Sequence, residues 1–367
     1  MKPLTNLRSI PNRMKGWQLE SFSGIGALVL NHEVKIPKIT TPNDILVKVE
    51  ASSVNPLDVM MTKGYGKTVL GNLRSEESLI LGRDFSGTVV DTGMSVKDYK
   101  IGDQVYGATF PSSQGSHADF VTASTLTLSH KPFNMTHVQA ASIPFTSLTA
   151  WSSMMISAGM SLETSNENPR YKVLLIGASG GVGTFAVQLL KALNYSVVAV
   201  SKDFELIADF GADVVLDHED PEYMKQLKQL SSFDVIFDFA GLGENSLKYS
   251  QFLRPWSNSK IVTLMSPLLR STDQNGLVPG AIQTAIELAV KNAQTINNGV
   301  TFRYGYFMPN PQALKRIASL IEKGKIKSVI QEEFKLEHLP AAYEMVEKGN
   351  LRGKVVVNHV NSGDQVD

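Results

Sequence analysis

The sequence contains no cysteine among its 367 residues. That excludes disulfides, thiolate nucleophiles and cysteine-ligated zinc. The histidines at 32, 117, 130, 137, 218, 338 and 359 are scattered without close ligand spacing, so no metal site is expected. An excess of either charge is missing too: 35 Lys and Arg balance 35 Asp and Glu. A neutral chain carries no footprint for nucleic acid or an anionic membrane. No run approaches the ~18–20 apolar residues that span a bilayer, so no transmembrane segment is expected. What remains is the composition of a folded globular protein, 43% hydrophobic and 19% charged, long enough to favour two domains.

One stretch organises the chain. Val173-Leu-Leu-Ile176 is a short apolar run, as a buried parallel strand requires. Gly177-Ala-Ser-Gly-Gly-Val-Gly183 follows at once, then a helical apolar pattern through Phe185, Val187, Leu189 and Leu190. Strand, glycine turn and helix form the context of a dinucleotide site. Glycine lets the backbone approach a pyrophosphate, and the helix N-terminus offers it unpaired N–H groups. Ala178 stands where the usual G-x-G-x-x-G pattern begins, which is tolerable if its φ is negative.

Before this stretch the reading is β. Residues 15–20, 28–30, 45–54, 87–91, 104–106 and 119–121 read as short strands between Gly-, Pro- and Asp-rich turns. Close spacing of that kind suggests a partly closed β structure. The segment from Thr136 to Met155 reads as two helical pieces broken at Pro144. After the glycine turn, strands at 195–200, 213–216, 233–238 and 260–264 alternate with helices, which implies a parallel sheet. A last helix, Pro311 to Gly324, precedes closing strands near Phe334 and at Lys354–Asn358. The first fifteen residues carry Lys2, Arg8, Arg13 and Lys15 and no acid, as in a mitochondrial presequence or a plain basic tail; Pro3 and Pro11 interrupt any helix.

Cofactor choice has a local signal. An NAD site places an acid at the end of its second strand. Here Ser201 and Lys202 stand there, a hydroxyl and an ammonium suited to a 2′-phosphate. NADPH is therefore expected over NADH. Asp203 reads as the cap of the helix beginning at Phe204. His218, just past the next strand, is placed either to join the phosphate pocket or to face solvent.

Ser53-Val-Asn-Pro-Leu-Asp58, Gly82-Arg-Asp-Phe-Ser-Gly87, Gly102-Asp-Gln-Val-Tyr-Gly107 and the glycine stretch resemble the quinone oxidoreductase branch of the medium-chain dehydrogenase/reductase superfamily. Ser129-His-Lys-Pro132, Leu148-Thr-Ala-Trp151 and Arg352-Gly-Lys354 narrow the resemblance to the mitochondrial NADPH oxidoreductases of animals. The resemblance covers nearly the whole chain. It implies an α/β fold: a GroES-like, partly closed β-barrel over 1–135, completed by 310–367, and a Rossmann doubly wound parallel sheet over 136–309. Zinc-dependent relatives use a cysteine ligand, so this chain is expected to work without zinc. A quinone or activated enone spreads incoming charge over its own conjugated system and needs no Lewis acid.

The resemblance further implies that Ser179, Gly180, Gly181 and Val182 meet the pyrophosphate, and that Leu264, Phe307 and Arg352 are later cofactor contacts. Phe239 stands where those animal proteins tend to have Asn, which removes one expected adenosine-side contact. Asn55 is the polar group expected beside nicotinamide and substrate; it equally suits a cap on the Pro56 turn. Tyr65, between Gly64 and Gly66, is a candidate hydrogen-bond or proton donor on a loop. Lys63 and Arg83 are weaker candidates, Arg83 with a carboxylate such as Asp84 for partner. Phe302, Tyr304, Tyr306 and Phe307 are either a quinone-accepting wall or ordinary packing. Two insertions, 66–78 and 267–299, are candidates for a substrate entrance, a partner dock or a dimer interface.

The expected function is NADPH-dependent hydride transfer to a quinone or related conjugated carbonyl, and the resemblance implies a mitochondrial role connected with coenzyme Q biosynthesis. Rivals are a 2-alkenal or enoyl reductase and an NADPH-binding redox sensor or scaffold with little turnover. A homodimer, mitochondrial protein partners and a cytoplasmic location stay open.

Overall fold

The computed structural model describes residues 10–71, 79–161 and 171–360. Lys2 and Arg8, residues 72–78 of the first insertion and the polar loop before Tyr171 lie outside the described residues.

Among the described residues the strands form three sheets. One is six-stranded and parallel, in the order Val214–Leu216, Ser196–Val200, Lys172–Ile176, Val235–Asp238, Lys260–Thr263 and Thr301–Tyr304. Its apolar runs are buried on both faces. Val173, Leu175, Val197 and Ala199 join one apolar cluster, which includes the helix Gly181–Ala192. Leu174, Ile176, Val198 and Val200 alternate into the cluster on the opposite face. The strand order reverses around Lys172–Ile176, so the glycine turn at its C-terminal end lies at the topological switch point.

The second sheet runs Ile330–Lys335, Lys354–Asn358, Asp44–Val54, Asp84–Thr92, Gln104–Ala108 and Leu128–His130, with Phe120–Ser124 also paired to Asp44–Val54. The chain's last strand thus returns to the first unit, antiparallel to Asp44–Val54 through Val355↔Val54 and Asn358↔Ala51. A third, small sheet joins Arg13–Leu19 to Leu28–Lys35 and Leu79–Ile80.

Pro144 does divide its segment, into the helices His137–Ala141 and Pro144–Ser152. Asp203 caps Phe204–Asp209 by accepting the Leu206 N–H at 3.3 Å. The C-terminal region holds more helix than the sequence reading anticipates. Leu339–Lys348 is a helix whose buried face is Leu339, Ala342, Tyr343 and Val346, started at Pro340 and stopped at Gly349 with φ +72°. Tyr223–Gln229 is one of the helices expected to alternate with the parallel strands.

The glycine turn is sterically exacting. Gly177 takes the left-handed conformation, φ +85°, so that position spares Ala178. A Cβ on Gly183 would lie 2.1 Å from the Gly177 carbonyl oxygen and 2.7 Å from Ala178 Cα. Both neighbours are backbone and cannot rotate away. Gly183→Ala is therefore expected to cost about 1–3 kcal/mol by forcing helix and strand apart. A urea midpoint equal to that of the unaltered chain would contradict this reading of the crossing.

Candidate active site

The helix Gly181–Ala192 begins at Gly180, which as N-cap has no side chain to bond the first-turn N–H groups. Ser179, Gly180, Gly181 and Val182 are all half-buried at this rim. The loop before the last strand settles directly upon it. Gly353 donates its N–H to the Ser179 carbonyl at 2.9 Å, and Gly180 and Gly353 form an isolated bridge. The Lys354 stem would lie 2.9 Å from a Cβ on Gly181. An uncapped helix N-terminus with glycine at each close approach fits a pyrophosphate.

The neighbouring rim carries the residues expected at a 2′-phosphate. Ser201 is buried, and its Oγ accepts the Asp203 N–H at 2.9 Å. Lys202 pairs with Glu219. His218, with its side chain about half exposed, lies 3.8 Å from Asp217. Arg352 Nε meets Asp203 Oδ2 at 2.8 Å. The fold thus gathers Ser201, Lys202, His218 and Arg352 along one edge, with Lys202 and Arg352 each facing a carboxylate. Both ion pairs involve exposed side chains and are weak enough to yield to a phosphate.

Below the turn is a buried polar cluster. Asp84 is fully buried and accepts from Ser53 Oγ (2.6 Å), Asn55 Nδ2 (2.8 Å), the Phe145 N–H (2.6 Å) and Lys354 Nζ (3.2 Å). Lys354, 5% exposed, also donates to Asn55 Oδ1 and to the Val54 carbonyl at 3.3 Å. Asn55 sits at the N-cap of Pro56–Thr62, where Asp58 Oδ2 accepts its N–H at 2.9 Å, and its carboxamide belongs to the cluster. Phe145, whose N–H meets Asp84, stacks on Phe307 with ring centroids 4.4 Å apart. Leu264, half-buried, approaches within 3.0 Å of a Cβ on Gly305 in the adjoining segment.

Other candidates stand elsewhere. Arg83 is wholly buried and pairs with Asp58 at 3.4 Å, not with Asp84. Burial lowers its pKa and raises that of Asp58, with each charge opposing the shift of the other. Lys63 is exposed and pairs with Glu347 at 2.6 Å. Tyr65 is half-buried between Gly64 (φ +82°) and Gly66 (φ +76°). Burial raises its pKa, so the phenol stays protonated near neutrality. Its loop is bolted to the second insertion: Asp273 accepts the Gly66 N–H at 2.6 Å and the Thr68 N–H at 2.9 Å. Phe302 and Tyr304 are buried beneath Lys291, so these two rings are packing and form no cleft wall. Phe239 stacks on Phe237.

Lys354 and Asp84 are the site residues that sequence reasoning missed. The available signal was a lysine opening the strand Lys354-Val-Val-Val-Asn358, where an ammonium beside a buried apolar run must find a partner. Among the described residues no three His, Cys, Asp or Glu side chains gather as a metal would require.

A partly closed β unit joined to a six-stranded parallel sheet, with a glycine turn at the switch point, is the architecture of a medium-chain dehydrogenase/reductase. Residues 41–131 match the family described as alcohol dehydrogenase GroES-like domain, and residues 210–357 match that described as zinc-binding dehydrogenase. The chain is 39% identical to NAD(P)H oxidoreductase RTN4IP1, mitochondrial, of Danio rerio, over 94% of this chain and 91% of that protein. To the protein of the same name in Homo sapiens it is 40% identical, over 95% and 89%. In fold it is similar to the quinone oxidoreductase from Coxiella burnetii, with a TM-score of 0.77 at 24% identity, covering 95% of this chain and all of that one. The chain belongs to the medium-chain dehydrogenase/reductase superfamily and, within it, to the RTN4IP1 family of NAD(P)H oxidoreductases.

Two histidines near the cluster are expected to make the fold sensitive to acid. His117 is fully buried and hydrogen-bonded to Tyr343 Oη at 3.1 Å; burial, then the Arg83 charge, pushes its pKa down to about 3. His359, bonded to Ser52 Oγ at 2.9 Å, is likewise pushed down to about 3, chiefly by burial. Both stay neutral in the folded chain while unfolded histidine takes a proton near pH 6.5. Their stabilisation is complete above pH 6.5 and is lost as pH falls toward 3, by about 1.4 kcal/mol per pH unit for each group. His359→Gln should flatten the urea midpoint between pH 6.5 and 4.5. An unchanged slope would rule out this origin of the acid sensitivity.

Proposed function

We propose that this protein transfers hydride from NADPH to a quinone or related conjugated carbonyl without zinc, in the mitochondrion, in a role connected with coenzyme Q biosynthesis. Lys354 carries the reading. Its stem lies against the glycine turn and its ammonium holds Asn55, so the dinucleotide rim and the polar cluster share one side chain.

Bound NADPH would supply the hydride at its nicotinamide ring. Ser179 to Val182 and the first turn of Gly181–Ala192 would hold the pyrophosphate. Ser201, Lys202, His218 and Arg352 would hold the 2′-phosphate, displacing Glu219 and Asp203 from their cations. Asn55 is oriented by two partners, Lys354 on its oxygen and Asp84 on its nitrogen, and keeps its second Nδ2 hydrogen for a ligand. A single neutral donor suits a conjugated acceptor, whose own π system takes up the charge. The Phe145–Phe307 stack beside Asp84 supplies flat apolar surface for aligning planar rings. Mitochondrial location rests on kinship with the RTN4IP1 proteins, whose names carry the word mitochondrial; the coenzyme Q connection rests on the family resemblance of the sequence motifs alone.

The deciding experiment titrates the purified protein with NADPH and NADH, then adds a short-chain quinone or a 2-alkenal while following nicotinamide absorbance. NADPH should bind in preference and be oxidised by quinone. Lys202→Ala should lose roughly tenfold of that preference, about 1.4 kcal/mol, with NADH binding unchanged. NADH preference would sink the phosphate pocket. Oxidation by alkenals alone would turn the reading to an enone reductase, and binding without oxidation to a sensor or scaffold.

A further inference from the structure

We propose that Asp273 is a positioning residue for the hydride transfer, reaching across from the parallel-sheet unit to hold the Tyr65 phenol beside the acceptor. Resting on the activity proposed above, this adds a second donor and the part of the chain that aims it. Tyr65 lies in the turn after Pro56–Thr62: its N–H reaches the Met60 carbonyl at 3.2 Å, and the Lys63 and Gly64 N–H groups bond back to Met60 and Met61. Asn55 starts that helix, so the two donors stand at its two ends, about 10 Å apart along the axis. The phenol is half-buried, stays protonated and meets no hydrogen-bond partner among the described residues. A partly buried hydroxyl normally finds one, so this one is kept for a ligand.

The loop cannot hold that phenol by itself. Gly64 and Gly66 flank it, and glycine backbone is permissive. The helix that follows, Lys67–Gly71, has five residues, too few to stand alone. It begins at Gly66, whose carbonyl accepts the Leu70 N–H at 2.8 Å but which has no side chain for a cap. Asp273 supplies the cap from the other unit, one carboxylate oxygen on the Gly66 N–H and the other on the Thr68 N–H. One turn earlier on the same helix, Leu269 Cδ1 lies 3.3 Å from where a Cβ on Gly66 would stand. Burial raises the phenol's pKa, the Arg270 charge opposes the rise and the Asp273 charge adds to it, so both side chains lie within electrostatic reach of the hydroxyl.

The arm that carries Asp273 is braced along its length. Its helix Leu268–Asn275 is separated from the strand Lys260–Thr263 only by residues 264–267, Leu264 among them. It is packed tightly on the next helix, Leu277–Thr295: a Cβ on Gly280 would lie 2.4 Å from the Thr272 nitrogen. That helix is fixed in turn to the strand Thr301–Tyr304. Asn292 bonds both the N–H and the C=O of Phe302, at 2.9 and 3.1 Å, and Lys291 reaches Tyr304 Oη at 3.3 Å. The outward ridge of Leu277–Thr295, formed by Val278, Ile282, Ile286 and Val290, takes no part. The second insertion therefore runs as a strut from the parallel sheet to the Tyr65 loop. Lys354 and Asp84 aim Asn55, and Asp273 aims Tyr65.

Hydride addition to the acceptor oxidises NADPH to NADP⁺ and moves an electron pair onto the acceptor's carbonyl oxygen, which a proton from water then neutralises. Tyr65 donates a hydrogen bond to that oxygen as its charge develops.

Steady-state oxidation of NADPH by a short-chain quinone, with the full chain, tests this. Tyr65→Phe should lower kcat on the order of 100-fold with KM for quinone little changed, because the bond strengthens only as charge develops. Asp273→Ala should lower kcat about tenfold with the same split, and Asp273→Asn, which keeps one acceptor oxygen, by less. All should bind NADPH as the parent does. The double variant Tyr65→Phe with Asp273→Ala should be no slower than Tyr65→Phe alone, since Asp273 acts through the phenol. Hydrogen exchange at the Gly66 and Thr68 amides should rise in Asp273→Ala and stay low in Tyr65→Phe. Parental kcat in both Asp273 variants, parental kcat in Tyr65→Phe, or a double variant that multiplies the two losses each overturns the proposal and leaves the proposed function standing. A parent that binds NADPH but reduces neither quinone nor alkenal overturns the proposed function itself, and this proposal with it.

Discussion

A lysine and an aspartate buried together govern this structure. Removing Lys354 and Asp84 from water costs several kcal/mol per ion, and their attraction offsets that only if the remaining hydrogen bonds are complete. They are nearly so: Asp84 receives four donors, and Lys354 finds two further oxygens. The pair forms only when the last strand of the chain lies antiparallel to Asp44–Val54. That pairing lays Gly353 on the glycine turn and clamps the Asn55 carboxamide. The dinucleotide rim, the polar cluster and the closure of the β unit are thus one event. The site cannot be assembled from either half of the chain alone.

The rim and the cluster handle charge differently because their dielectric surroundings differ. At the exposed rim, Lys202–Glu219 and Arg352–Asp203 are screened by water, cost little to separate and keep the groove near neutral without a ligand. In the interior, Asp84–Lys354 and Asp58–Arg83 have no such freedom, and losing one partner would strand the other. Exchangeable pairs suit a phosphate that comes and goes, and fixed pairs suit a donor that must keep its aim. The second insertion belongs to the same economy: Asp273 takes its two hydrogen bonds to order the Tyr65 loop, while the following helix leaves its apolar ridge outward.

Much of the fold was legible because its rules are local. The glycine turn, the break at Pro144, the Asp203 cap and the alternation of strands with helices each depend on residues a few positions apart. The helix Leu339–Lys348 has an apolar spacing of its own, Leu339, Ala342, Tyr343 and Val346, but lies in a short stretch between two strands. The glycine turn at its helix start and the Asn55–Pro56 helix start were legible from motifs. Lys354 was visible only within Arg352-Gly-Lys354, and which carboxylate Arg83 would meet stayed open, since the choice between Asp58 and Asp84 depends on how segments far apart in the chain pack.

By itself, the sequence determined the chemistry that was excluded and the backbone that was required at the turn: no cysteine, no spanning segment, and glycine at 177, where φ is positive, and at 183, where a Cβ would strike backbone. Only the tertiary structure decided which charges meet. Lys354 and Asp84 are 270 residues apart, and no local rule connects them. The reason is physical: backbone sterics act between neighbours in the chain, whereas the cost of burying a charge is set by whatever the fold brings within a few ångströms of it.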